Sequence, residues 1–227
     1  MKMVQDYSFE EIRIPLSIDC QDCVHSSIFG TKGSFIFFIL LFVGCLVSQT
    51  LLVIIPSSGT YPGIWSRSLC IDEGLLKGSM LPFFHKAMQG NMGIIVLNPN
   101  VNNYKVVDAD GKTTSTPIPY NSTPDKHVLY CWDRIISRTT ARNIVIMAYG
   151  QGGVYAKTLI QERESEILCK LRAMALTESA HTLISDLNFG LNMVDSKGTR
   201  TFLENHTLNW IVSDLPIGQR DSVFNTV

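Results

Sequence analysis

Apolar and polar positions alternate along most of this chain between short β-branched runs and longer stretches with an apolar residue every three or four positions. Leu51-Leu-Val-Ile-Ile55, ended by Pro56-Ser-Ser-Gly59, reads as a buried parallel strand feeding a loop. Ser79 to Gln89 predicts a helix with Ser79 as N-cap and Pro82 in the first turn, where a missing N–H breaks no intrahelical bond. Gly93 to Leu97 is a second buried strand, stopped by Asn98-Pro99-Asn100. Residues 101–126 are polar and turn-rich and read as a loop, at whose end Thr123-Pro124 opens a helix with Val128, Trp132, Ile135 and Ile136 on one face. Asn143 to Ala148 is the next strand and Val154 to Lys170 the next helix; Arg172 to Thr177 and Asn209 to Ser213 predict two further strands. Such alternation predicts an α/β fold, a mainly parallel sheet with helices on both faces.

One block breaks the pattern. From Phe35 to Val47 the chain reads FIFFILLFVGCLV, and with Ser48 to Ile55 it forms an uncharged run of roughly twenty residues, long enough to cross a hydrocarbon core. Ser34 to Ile55 is therefore a candidate transmembrane helix and membrane attachment. If Leu51 to Ile55 is instead a core strand, the apolar remainder is too short to span. The division expected on this basis is an N-terminal segment over residues 1–33, an apolar block over 34–50 and an α/β domain over 51–227.

Composition narrows the rest. The chain has 227 residues, 45% of them hydrophobic, and a formal net charge of −1 with a pI near 6.5, enough for one domain core and without an electrostatic footprint for nucleic acid. Arg134, Arg138 and Arg142 read as the solvated face of a helix rather than a phosphate track. Cys20 and Cys23 have CxxC spacing, but no second pair completes a zinc site, and neither a metal nor a cofactor is expected. Asn121 and Asn205 begin N-x-S/T triplets.

The stretch Ile144-Val-Ile-Met-Ala-Tyr149-Gly150-Gln151-Gly152-Gly153 carries the candidate chemistry. A buried strand that turns through small residues into a helix is the setting of the G-x-S-x-G nucleophile elbow. Here the central position is Gly150, so the turn survives without a nucleophile. Glycine takes the strained elbow conformation without the Cβ clash that costs other residues about 1–3 kcal/mol. A dinucleotide loop is the rival reading, but Tyr155 occupies the last glycine position of G-x-G-x-x-G.

Trp65-Ser-Arg-Ser-Leu69, Pro82-Phe83, Ile94 to Asn100, His127 to Asp133, the elbow, Ala175 to His181 and Asn209-Trp210 together resemble blocks of the Arb-two (Argonaute-binding-protein) domain family, in order, from about Ile12 to the end. The resemblance implies an α/β-hydrolase-like fold, shortened at its carboxyl end. It also implies the company of Argonaute and of chromatin or splicing regulators in RNA silencing, heterochromatin and cotranscriptional regulation. Its localisation would be nuclear or cytoplasmic, or at a membrane if the apolar block spans.

By the same resemblance the family's elbow serine falls on Gly150, and its oxyanion-loop His-Gly pair falls on Pro56-Ser57. Asp214 stands near the triad acid's place, and the chain ends before the block that would hold the triad histidine. His181 then reads as a structural strand-end residue, and Ser57 or Ser58 as poor substitutes for a nucleophile. A non-catalytic domain is expected, with a vestigial elbow at Tyr149, Gly150, Gln151, Gly152 and Gly153 and vestigial neighbours Pro56, Ser57, His181 and Asp214. Where this chain has Phe38 to Val47, the resembled animal proteins carry a polar turn. Rich in residues with uracil-rich codons, the block reads as translated intron end, which would make the chain the product of a decaying gene copy and should disturb the neighbouring core strand.

Overall fold

The computed structural model describes residues 9–13, 38–42, 47–107, 110–179, 181 and 196–219. In chain order the elements are β1 (Phe9–Arg13), β2 (Phe38–Phe42), β3 (Thr50–Ile55), α1 (Arg67–Asp72), α2 (Leu75–Gly78), α3 (Leu81–Gln89), β4 (Gly93–Val96), β5 (Asn103–Val107), β6 (Thr113–Pro117) and α4 (Pro124–Arg134). After a 3-10 turn over Ile136–Arg138 come β7 (Asn143–Tyr149), α5 (Gln151–Glu162), α6 (Glu164–Ile167), β8 (Leu171–Thr177), α7 (Lys197–His206) and β9 (Thr207–Trp210).

Among the described residues seven strands form one sheet in the order β1-β2-β4-β3-β7-β8-β9. The five from β4 to β9 pair in parallel, whereas β2 joins β4 antiparallel and β1 joins β2 antiparallel. The mainly parallel sheet is the one that the strand and helix alternation predicted, and the α/β-hydrolase-like arrangement is the one that the family resemblance implied.

Strand β3 shows why the sheet is buried on both sides. Its side chains point to opposite faces in turn. Leu51, Val53 and Ile55 join a core with Ile144, Ile146 and Ala148 of β7, Val128 and Trp132 of α4, and Tyr155 and Leu159 of α5. Leu52 and Ile54 join Phe9, Met80, Phe84, Ile94 and Val96 on the other face, beneath α3. The Phe9 and Phe84 rings meet there at 4.8 Å. A continuous apolar run such as 51–55 is what a doubly covered strand requires, and each fully buried side chain of this size stabilises by about 1.5–3 kcal/mol.

Residues 34–37 and 43–46 of the apolar block lie outside the described residues, and the neighbouring core strand, expected to be disturbed, is paired on both sides. Thr50–Ile55 is a core strand and Phe38–Phe42 is a strand between β1 and β4, with Leu40 opposite Val96 and Leu41 opposite Ile95. The transmembrane-helix reading of Ser34 to Ile55 is corrected accordingly: Phe38–Phe42 and Thr50–Ile55 pair their backbones in the sheet as strands. No helix among the described residues is long and apolar enough to cross a membrane.

Several boundaries move. The segment read as a loop holds the β5–β6 hairpin, with Asn103 opposite Pro117. Helix α3 starts at Leu81 with Met80 as N-cap; the Ser79 hydroxyl donates back to the carbonyl of Leu75, the first residue of α2, and accepts the Leu81 N–H at 3.3 Å. The predicted helix from Val154 to Lys170 begins earlier, at Gln151, and breaks at Arg163. Strand β9 starts two residues before the predicted Asn209 and ends at Trp210 rather than Ser213. Helix α4 matches: the Thr123 hydroxyl accepts from the Lys126 N–H and Pro124 fills the first turn.

Candidate functional site

The carboxyl ends of β3, β7 and β8 converge on the first turn of α5. Gly150 joins strand to helix at φ 53° and ψ −121°, a left-handed conformation that favours glycine. Its N–H donates to the Thr177 carbonyl at 2.9 Å, which ties the turn to the end of β8.

The next glycines set how closely α5 approaches the sheet. A Cβ on Gly152 would stand 2.3 Å from the Ile55 carbonyl oxygen and 3.0 Å from that of Pro56. On Gly153 it would stand 1.9 Å from the Ser179 hydroxyl oxygen. The helix start is thus wedged between the chain leaving β3 and the chain leaving β8.

Ser57 completes the turn. A Cβ on Gly150 would lie 2.4 Å from Ser57 Oγ, so the hydroxyl fills the space that a larger residue at Gly150 would need. The same oxygen accepts the Gln151 N–H at 3.3 Å. In an acyl-transfer elbow that amide, following the nucleophile, helps hold a developing oxyanion. Here it is engaged by a side chain of the opposing loop. Pro56 is buried and Ser57 half-buried.

A polar chain behind Ser57 fixes its loop. Asn100 Nδ2 donates to the Ser57 and Thr60 carbonyls at 2.7 and 2.8 Å, and Thr60 Oγ1 donates to the Ser57 carbonyl at 2.7 Å. The loop carrying Asn100 is held by His127 of α4, whose Nε2 accepts the Asn98 N–H at 3.2 Å. Because Nε2 accepts, Nδ1 carries the proton and donates to Asn121 Oδ1 at 3.1 Å. Complete burial holds the His127 imidazole neutral, its pKa lowered to about 3. Burial also keeps the adjacent Cys131 thiol protonated by raising its pKa.

On the other flank, Ser179 Oγ and His181 Nδ1 lie 2.8 Å apart, and the Ser179 N–H donates to Asn209 Oδ1 at 3.2 Å. His181 is buried, and its partner Ser179 stands against Gly153 of the elbow helix. Tyr149 is half-buried; Trp65 meets its ring at 6.4 Å and that of Phe83 at 5.6 Å, both near perpendicular. Asp214 lies exposed in the bend beyond β9.

The structure therefore gathers Tyr149, Gly150, Gln151, Gly152, Gly153, Pro56, Ser57 and His181 around one strand-to-helix turn, with Asp214 farther along the chain after β9. Sequence reading missed the His127, Asn98, Asn100 and Asn121 network. Asn-Pro-Asn was legible as a strand stop, but the long-range partners of its side chains were not. Asn121, the first asparagine of a triplet, is buried in that network, whereas Asn205 is exposed on α7. Cys20 and Cys23 lie outside the described residues.

The model of the Arb2 domain matches residues 1–217. Relatives include the "Cotranscriptional regulator ARB2A homolog" of Xenopus tropicalis, 28% identical, with 74% of this chain and 49% of that protein covered. The Dictyostelium discoideum homolog is 32% identical over 72% of this chain and 48% of its own length. The Homo sapiens "Cotranscriptional regulator ARB2A" is 27% identical, with 74% of this chain and 50% of that protein covered. The chain thus spans about half the length of the curated relatives it matches.

Among solved structures, the histone deacetylase Clr3 superposes with a TM-score of 0.54 at 15% identity, over 92% of this chain and 29% of that one. A histone deacetylase from Saccharomyces cerevisiae gives 0.52 at 12% identity, over 92% of this chain and 75% of that one. At such identities the likeness is one of fold. With the domain model covering nearly its whole length, the chain belongs to the Arb2 domain family.

Proposed function

We propose that this chain is a non-catalytic Arb2 protein that serves as a binding module in cotranscriptional regulation, in the company of Argonaute and of chromatin or splicing regulators. The single observation that carries the non-catalytic half is the meeting of Gly150, Gln151 and Ser57. The elbow backbone keeps its left-handed turn, its central residue has no side chain, and a serine hydroxyl from the facing loop occupies that space and takes the Gln151 amide. An elbow of this kind lacks both the attacking atom and a free amide for an oxyanion. The binding half rests on the relatives, which are named as regulators.

Two experiments test the halves separately. Treating the full chain with a fluorophosphonate probe should leave every serine unlabelled, and a mapped adduct on Ser57, Ser58 or Ser179 would overturn the non-catalytic reading. Purifying the tagged full chain from cells should bring down Argonaute with chromatin or splicing proteins. Their clean absence under mild salt would remove the partner assignment.

A further inference from the structure

We infer that the end of the sheet opposite the elbow is a docking surface for an acidic peptide segment of a partner protein. Arg142 and Gly150 stand just outside the two ends of β7, roughly 25 Å apart at the rise of an extended strand. The sequence suggested that Arg134, Arg138 and Arg142 share one helix face. Instead Arg134 ends α4, Arg138 closes the 3-10 turn, and Arg142 leads into β7.

Two more cations reach the same end of the sheet from a distant part of the chain. Lys170 and Arg172 bracket the start of β8, and the Ile144 N–H donates to the Lys170 carbonyl at 2.8 Å. Lys170 Nζ donates to the Ser137 carbonyl at 3.2 Å, beside Arg138. Arg172 Nε donates to Asn143 Oδ1 at 2.8 Å, and its Nη2 reaches the Arg142 carbonyl at 3.5 Å. Arg134, Arg138, Arg142 and Arg172 are all exposed.

The carboxylates nearest in sequence are engaged. Arg163 grips Asp133 through two bonds at 2.8 and 2.9 Å, and Glu166 accepts the Trp132 indole N–H at 3.3 Å. A chain with net charge −1 thus groups Arg142, Lys170 and Arg172 at the amino ends of β7 and β8, with Arg138 in the turn that leads to β7 and Arg134 at the end of α4. Guanidinium forks match carboxylates in pairs, and the bonds of Arg172 to neighbouring backbone and amide groups reduce the ordering needed on binding.

An acidic peptide fits this surface better than nucleic acid does. The cations form a compact group across adjacent strand ends rather than a track matched to the 6–10 phosphate contacts typical of a salt-sensitive nucleic-acid binder. The residues that build it supply no aromatic stacking platform between the charges.

The test is fluorescence anisotropy of a labelled oligoglutamate peptide with the full chain at low salt, with single-stranded RNA and duplex DNA as competitors. Arg142→Glu with Arg172→Glu should weaken peptide binding at least about tenfold, while Arg142→Lys with Arg172→Lys, which keeps the charge but loses the fork, should weaken it less than the glutamate pair does. Arg142→Gln with Arg172→Gln, which removes charge without reversing it, should lose at least about fivefold and guards against misfolding of the reversal variant. Lys105→Glu, on the distant β5, should leave binding unchanged. Unaltered peptide affinity in the glutamate and glutamine variants, an equal loss in Lys105→Glu, or tighter binding of RNA or DNA than of the peptide would each overturn the inference.

Discussion

The centre of the sheet and its β9 end are built to different standards. At the centre, Leu51 to Ile55 are all buried, α5 rests on carbonyl oxygens of the neighbouring loop, and a serine hydroxyl fills the remaining gap at Gly150. At the far end, Leu208 and Trp210 of β9 are more than half exposed, and Val212 and Ile217 follow them at 88% and 108%. The same chain therefore holds a region where an added methyl group has nowhere to go and a region where a whole indole is half in water. Substitution should separate the two by several kcal/mol, because cost follows how little a site can relax.

The largest effect is expected at Gly152. Gly152→Ala drives its Cβ against the backbone carbonyl of Ile55, an atom that cannot swing away. A loss of roughly 3 kcal/mol or more is expected, read from the urea midpoint by circular dichroism. A loss under about 1 kcal/mol would mean that α5 is free to lift from the sheet. Next in size is Gly150→Ala, which meets a side chain that can move and a positive φ. Roughly 2 kcal/mol is expected there by the same measurement.

The third effect depends on pH. The folded chain holds the His127 imidazole neutral with a pKa lowered to about 3, against an ordinary value of 6.5. The unfolded chain therefore binds the extra proton between those values, so this contribution is intact above about pH 6.5 and is lost as pH falls towards 3. Stability should drop by about 1.4 kcal/mol per pH unit over the middle of that window. His127→Gln should flatten the slope in urea titrations at pH 7 and pH 5. An unchanged slope would show that other groups carry it. The smallest effect is expected at the sheet end: Trp210→Ser should change stability by less than about 1 kcal/mol and should lower exposed-apolar dye binding.

The same contrast explains what the sequence could disclose. Strands β3, β4 and β7 were legible because well-covered strands are written as continuous apolar runs, β8 by its short apolar stretch from Ala173 to Leu176, and α4 because Thr123-Pro124 announces its start. The β5–β6 hairpin was not, since Thr113-Thr-Ser-Thr-Pro117 is polar and largely exposed and carries no apolar alternation. The apolar block kept two readings open because Leu, Ile and Phe suit a lipid core and a sheet interior alike; pairing of Phe38–Phe42 with β1 and β4 distinguishes them.

At the site, the strand, the turn and the glycine at its apex could be read from Ile144 to Gly153. The role of Ser57 could not, because its bond to Gln151 joins residues 94 positions apart. Lys170 and Arg172 escaped notice for a similar reason, since only the β7–β8 pairing brings them beside Arg142.

The central claim is that Ser57 stands in the space of the side chain that Gly150 lacks, and a double-mutant cycle tests it most directly. Gly150→Ala, Ser57→Gly and the pair should be compared with the parent by urea unfolding of the full chain. The account predicts that the double variant recovers at least about 1 kcal/mol relative to the sum of the single losses, the sign of two groups competing for one space. Losses that simply add would contradict it, showing that Ser57 and Gly150 do not share that space.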